Sequence, residues 1–192
     1  MAREHLPTPV FDAFTEGVGT GGLRSKSDIQ LLICALLDAL NGPVPVRLVT
    51  NTCQKEELAN YFEVQEAIAE LVEKGLLQPE LSEEEEIIEL TEEGKMAASV
   101  LQEDLPKSVL DIAVQSAQRQ LTLERNAREN DVRIEPYKDG YRVSFCMTEK
   151  DTDLLTLTVF VTDRDQAEKL KDNFLENPVK IYSAILTSLM VD

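Results

Sequence analysis

Two stretches decide the reading: residues 66–77, EAIAELVEKGLL, and residues 87–95, IIELTEEGK. In the first, Ala67, Ile68, Leu71 and Val72 recur at helical spacing. Gly75 stands where a left-handed C-terminal cap is needed, and Leu76-Leu77 opens an extended segment. Ser82-Glu83-Glu84-Glu85-Glu86 makes a hydrophilic tip, and Ile87-Ile88-Glu89-Leu90 returns as a second strand. Thr91 then caps a helix whose first turn holds Glu92 and Glu93, where acids suit the helix dipole. The pair therefore reads helix, strand, turn, strand, helix.

Upstream, Ser27 and Gln30 have the spacing of a capping box, which predicts a helix from Ser27. Ile29, Leu32, Ile33, Leu36, Leu37 and Leu40 form its apolar face, and Asn41-Gly42-Pro43 stops it. Val44-Pro45-Val46 is a short extended piece, followed by a short helical segment at residues 48–53. A longer helix is expected over residues 55–74, with Leu58, Phe62, Val64, Ile68, Leu71 and Val72 as core candidates. In the helix after Thr91, Met96, Ala97, Val100 and Leu101 are expected to face inward.

Downstream, Pro106 opens a long helix to about Asn126, with Leu110, Val114, Ala117 and Leu121 along one side. That stripe suits packing on its own domain or a dimer seam. Asp131–Tyr137, Tyr141–Met147 and Leu155–Val161 alternate with period two, and Asp139-Gly140 is a hairpin signal. Two helices follow, one capped at Thr162 or Asp163 and one from Asn177-Pro178, with Ile181, Ala184, Ile185 and Leu189 on its apolar side. The fold class is α+β. It comprises an arm (1–24), an N-terminal domain (25–105), a connecting helix (106–130) and a C-terminal domain (131–192). The last is a three-stranded antiparallel sheet with helices covering one face.

The order over residues 27–101, with those two phrases, resembles a winged helix-turn-helix domain. The whole chain is similar to a family of uncharacterised bacterial winged-helix proteins known as a domain of unknown function. FTEGVGTGGLRSKSDIQLLICALL (14–37) and LPKSVLDIAV (105–114) carry that resemblance. It implies a winged helix and a transcription-regulator role, and it supplies no site residues to transfer.

Charge opposes that role. The chain has 192 residues with 19 Lys and Arg against 36 Asp and Glu, a net charge of −17. Residues 1–105 hold 7 basic and 21 acidic side chains. DNA binding needs cations against phosphates. Yet residues 54–75 hold two Lys and six Glu, and the wing tip holds four consecutive Glu. The DNA-contact candidates are Arg47, Asn51, Thr52, Gln54, Lys55, Asn60, Tyr61 and Gln65, several of which can read base edges. Arg24 and Lys26 could add phosphate contacts from the arm.

Other chemistry has little residue support. The single His, His5, leaves no partner for a nucleophilic site, and no catalytic residues are assigned. Cys34, Cys53 and Cys146 match no metal spacing and suggest reduced thiols. No phosphate loop is present, and the Gly17–Gly22 string reads as a linker. No cofactor or metal is expected. No apolar run is long enough for a membrane span, and the N-terminus lacks a signal-peptide core, so a cytoplasmic location is expected. The expected function is a winged-helix DNA-binding regulator on double-stranded DNA, working as a homodimer, with a C-terminal sensing or dimerisation domain. The alternative is an acidic winged-helix module that binds a basic protein. Arg119, Arg125, Arg128 and Arg133 cluster late in the long helix and just beyond, where they could pair with the acidic N-terminal domain of the same or a neighbouring chain.

Overall fold

The computed structural model describes residues 23, 25–81, 85–101, 105–150 and 152–190. The expected arm, apart from Leu23, and the tip residues 82–84 lie outside them. The chain divides into two compact units, Met1–Ala117 and Gln118–Asp192. Among the described residues the fold is α+β, with seven helices and two three-stranded antiparallel sheets. A sheet beyond the expected C-terminal one forms in the first unit, because Val44-Pro45 pairs with Ile88 and Ile87 of the returning strand.

The first unit begins with α1 (Lys26–Leu40). Its cap is Ser25 rather than Ser27: the Ser25 hydroxyl accepts from the Asp28 N–H at 3.1 Å. Gln30 completes no box at Ser27: its carbonyl oxygen accepts from Lys74 at 2.9 Å and its amide donates to Glu70 at 2.7 Å. Asn41, at φ 52°, closes the helix in the left-handed region. Then come β1 (Val44–Pro45), α2 (Val46–Lys55), α3 (Tyr61–Glu73), β2 (Leu77–Leu81), β3 (Glu86–Leu90) and α4 (Glu92–Leu101). The sheet order β1-β3-β2 leaves β2 at an edge, which accommodates Pro79.

α1 is the hub of this unit. Ile29, Leu32, Ile33, Leu36 and Leu37 are buried with Leu48, Val49, Val64, Leu71, Leu77 and Ile88. Each such side chain contributes about 1.5–3 kcal/mol of burial. The long helix expected over residues 55–74 is instead broken, and α3 starts only at Tyr61. Glu57 takes a positive φ of 54°, and the Leu58 N–H bonds back to the Cys53 carbonyl. Leu58 and Ala59 are buried in that turn.

Thr91 accepts from the Gly94 N–H at 3.1 Å, as a cap should. The inward face of α4 differs from expectation. Gly94 and Ala98 face the body, while Met96 and Val100 are exposed at 61% and 75%. A Cβ on Gly94 would overlap the Leu76 carbonyl oxygen, so α4 approaches through its small residues.

Helix α5 (Lys107–Glu129) spans the division between the units. Leu110, Val114 and Leu121 are half-buried and Ala117 is buried. The second unit continues with β4 (Asn130–Tyr137), β5 (Gly140–Glu149), β6 (Thr152–Val161), α6 (Arg164–Glu176) and α7 (Pro178–Met190). The sheet order is β4-β5-β6. Its hairpin turn is Lys138-Asp139. Gly140 already pairs with Tyr137, in a position where a Cβ would meet the Phe160 ring and the Val161 carbonyl.

The second core gathers Val143, Phe145, Ala167, Phe174 and Leu175, with Leu123 and Ile181 packed against it. Asn126, buried, donates to the Leu175 carbonyl at 2.5 Å and ties α5 to α6. Two of the four arginines expected to answer the N-terminal acids are engaged elsewhere, while Arg125 and Arg128 are exposed. Arg119 pairs with Glu176 and Asp172, and Arg133 with Asp131, all within the second unit. Helix α7 covers the sheet less than expected: Ile181 and Ile185 are half-buried, while Ala184 and Leu189 are exposed.

Candidate nucleic-acid interface

The candidate contacts of the first unit lie on α2, α3 and the turn between them. Helix α3 is positioned by its cap. The Asn60 side chain accepts from the Glu63 N–H at 3.0 Å, and the Glu63 carboxylate accepts from the Asn60 N–H at 3.2 Å. This reciprocal box satisfies two otherwise orphaned donors. Val64, Ala67, Ile68 and Leu71 then face inward at helical spacing.

The opposite face of α3 carries Tyr61, Phe62, Glu66, Ala69 and Glu73, all exposed. Phe62, expected in the core, is 76% exposed and meets Tyr61 edge-on, with ring centroids 5.5 Å apart. Because α3 starts at Tyr61 and not at residue 55, Phe62 falls on the outer side of its first turn. Aromatic type alone gave no sign of this; the Asn60-x-x-Glu63 spacing was the available signal.

Not all eight candidates reach the surface. Arg47, Asn51, Gln54 and Lys55 form an exposed stripe along α2, and Tyr61 is exposed at the start of α3. Gln65 is half-buried and donates to the Thr50 hydroxyl at 3.0 Å, so it braces α3 against α2. Thr52 and Asn60 are buried, and Asn60 acts as the helix cap. Their side chains are not presented to a ligand on this face.

The electrostatics are milder than the count of six Glu suggests. Glu63 is turned back into the cap, and Glu56 accepts from the Ser116 hydroxyl at 2.7 Å. Lys26 pairs with Glu66 at 2.8 Å and also with Glu70. Lys26, hydrogen-bonded first to Glu66 and then to Glu70, is raised above its ordinary pKa. Glu70, bonded to Lys26, is lowered. Glu57, in the turn before α3, and Glu73, on its last turn, are the exposed remainder of the six. Arg47 is held by Glu85 at 2.5 Å, at the base of the acidic tip. Lys26, considered a phosphate contact from the arm, is instead bound to α3; Arg24 lies outside the described residues.

Among the described residues no group of His, Cys, Asp and Glu could hold a metal ion, and no helix is long and apolar enough to cross a membrane. Cys34 and Cys53 are buried free thiols, and Cys146 is half-buried. Open hollows exist among the described residues, such as one of about 230 Å³ bounded by Gln30, Cys34, Leu71 and Ala98 and one of about 150 Å³ bounded by Asp38, Asn41, Glu89 and Lys95.

A family model described as a domain of unknown function (DUF4364) matches residues 29–189. No curated protein and no solved structure matches the chain.

Proposed function

The chain belongs to the DUF4364 family, a domain of unknown function, and we propose that its first unit is a winged helix-turn-helix that binds double-stranded DNA in a transcription regulator. In this reading the exposed stripe of α2 (Asn51, Gln54, Lys55) and the start of α3 at Tyr61 face the major groove, and the β2–β3 hairpin is the wing. The regulator acts in the cytoplasm as a homodimer, its second unit supplies dimerisation or sensing, and it carries out no reaction. The element order from α1 to α4 and the sheet order β1-β3-β2 support the fold assignment.

One observation carries the DNA reading. Four of the six Glu that oppose it are engaged inside the unit, while Asn51, Gln54, Lys55 and Tyr61 stand on one open face. Amide side chains suit adenine edges, and an aromatic edge suits the thymine methyl.

A basic protein partner is the second reading. The exposed Phe62–Tyr61 pair beside Glu66 and Glu73 favours it, since aromatic anchors in an acidic surround suit a basic peptide.

Selection from a sheared genomic DNA pool at low salt tests the first reading. The expected result is an enriched site whose log affinity falls linearly with log salt. Lys55→Glu should weaken binding roughly tenfold or more at low salt and flatten that slope by about one unit. No enrichment, together with Phe62-dependent capture of a Lys/Arg-rich peptide library, would transfer the function to the second reading.

A further inference from the structure

We infer that α7 is a self-association surface, docking against α7 of a second copy of this chain in antiparallel orientation. The inference gives the dimer of the proposed function its contact. It rests on that reading only for what the dimer is used for.

Helix α7 has two apolar faces. One serves its own unit: Pro178 is buried, Ile181 packs on the second core, and Ile185 is half-buried. The other points outward. Val179, Leu186, Leu189 and Met190 are exposed at 63%, 39%, 77% and 80%, with Tyr182 half-buried between them. Val179, Tyr182, Leu186 and Leu189 are spaced three, four and three residues apart. That spacing forms the seam of a helix pair. Single exposed apolar residues are ordinary, whereas a continuous apolar strip marks a covered surface.

Charge permits a second copy at this helix and sets its orientation. Two copies of a chain with net charge −17 repel each other. α7 contains no Asp or Glu, and its one charged residue is Lys180, near its N-terminal end. In an antiparallel pair each Lys180 lies beside the carbonyl end of the other helix, where a cation is favoured. The strip is complementary to itself under a two-fold axis, as an isologous contact must be. A membrane surface suits it poorly, because its polar side offers Lys180, Ser183, Thr187 and Ser188 in place of a row of cations.

Analytical ultracentrifugation of the full chain from about 1 to 100 μM, without DNA, tests the inference; that range brackets the affinities of ordinary specific contacts. The expected mass at the upper end is twice 21.5 kDa. Leu189→Glu and Leu186→Glu should each shift the species to monomer, weakening association about 100-fold or more, with unchanged circular dichroism. In a Cys146→Ser background, mixed Val179→Cys and Leu189→Cys chains should form the cross-disulfide in preference to either homodisulfide. A monomeric wild type, a dimer indifferent to both Glu variants, or a predominance of homodisulfides would overturn the inference. A monomer that still selects a DNA site would overturn this contact and leave the DNA reading standing. An α7-dependent dimer that selects none would do the reverse.

Discussion

Cys34 and Cys53 show what burial does to a single side chain. Desolvation pushes the Cys53 thiol up to about 12 and the Cys34 thiol up to about 11, the latter eased by Lys74. Both pKa values are raised on folding. The native state therefore holds protons that the unfolded chain releases, and stability is complete below the unfolded thiol pKa near 9. It should fall as pH rises from about 9 toward 11–12. Urea unfolding followed by far-UV circular dichroism at pH 8 and pH 10 should give a lower midpoint at pH 10, and Cys34→Ala should reduce the difference. Native-state thiol labelling at pH 8 should modify neither Cys34 nor Cys53 on the timescale of an unfolded control.

At the scale of elements, caps decide where helices begin and therefore which residues face out. Asn60 and Glu63 start α3, turning Phe62 outward and Val64 inward. Asn60→Ala should destabilise the first unit by about 1 kcal/mol, read as a lower urea midpoint with an unchanged slope. Phe62→Ala, at a 76% exposed position, should alter stability by no more than about 0.5 kcal/mol while weakening whatever binds this face. Helix α4 gives the complementary case. Gly94→Ala forces a methyl against the Leu76 carbonyl and should destabilise by about 1–3 kcal/mol, although alanine has the better helix propensity.

For the whole molecule, the net charge of −17 is the dominant long-range term. It opposes the close approach of copies except where an acid-free contact offsets it, and it loads the folded state with self-repulsion. Raising ionic strength from about 0.02 to 0.2 M shortens the screening length several-fold. The melting temperature should therefore rise, by about 2–4 °C for each kcal/mol of relieved repulsion. A melting temperature that fell with salt would mean that the ion pairs of Lys26, Arg47 and Arg119 outweigh the repulsion.

Local chemistry was enough to read several features from the chain. Period-two alternation in Tyr141–Met147 and Leu155–Val161, the Thr91 and Asp163 caps and the Asn41 stop are short-range signals, and each appears in the fold. The apolar face of α1 was equally legible: five of its six expected residues are buried at helical spacing, Leu40 is half-buried, and Cys34 and Ala35 are buried beside them. Contacts across long sequence separations were not legible. Gln30 bonds to Glu70 rather than to Ser27, Ser116 holds the Glu56 carboxylate, and Lys26 offsets part of the charge of Glu66 and Glu70 that counting alone set against DNA. The outward turn of Met96 and Leu189 has the same origin, whereas that of Phe62 follows from the local Asn60–Glu63 cap. Hydrophobic type states that a side chain gains from burial, but which face of a helix meets a neighbour depends on where the other elements pack.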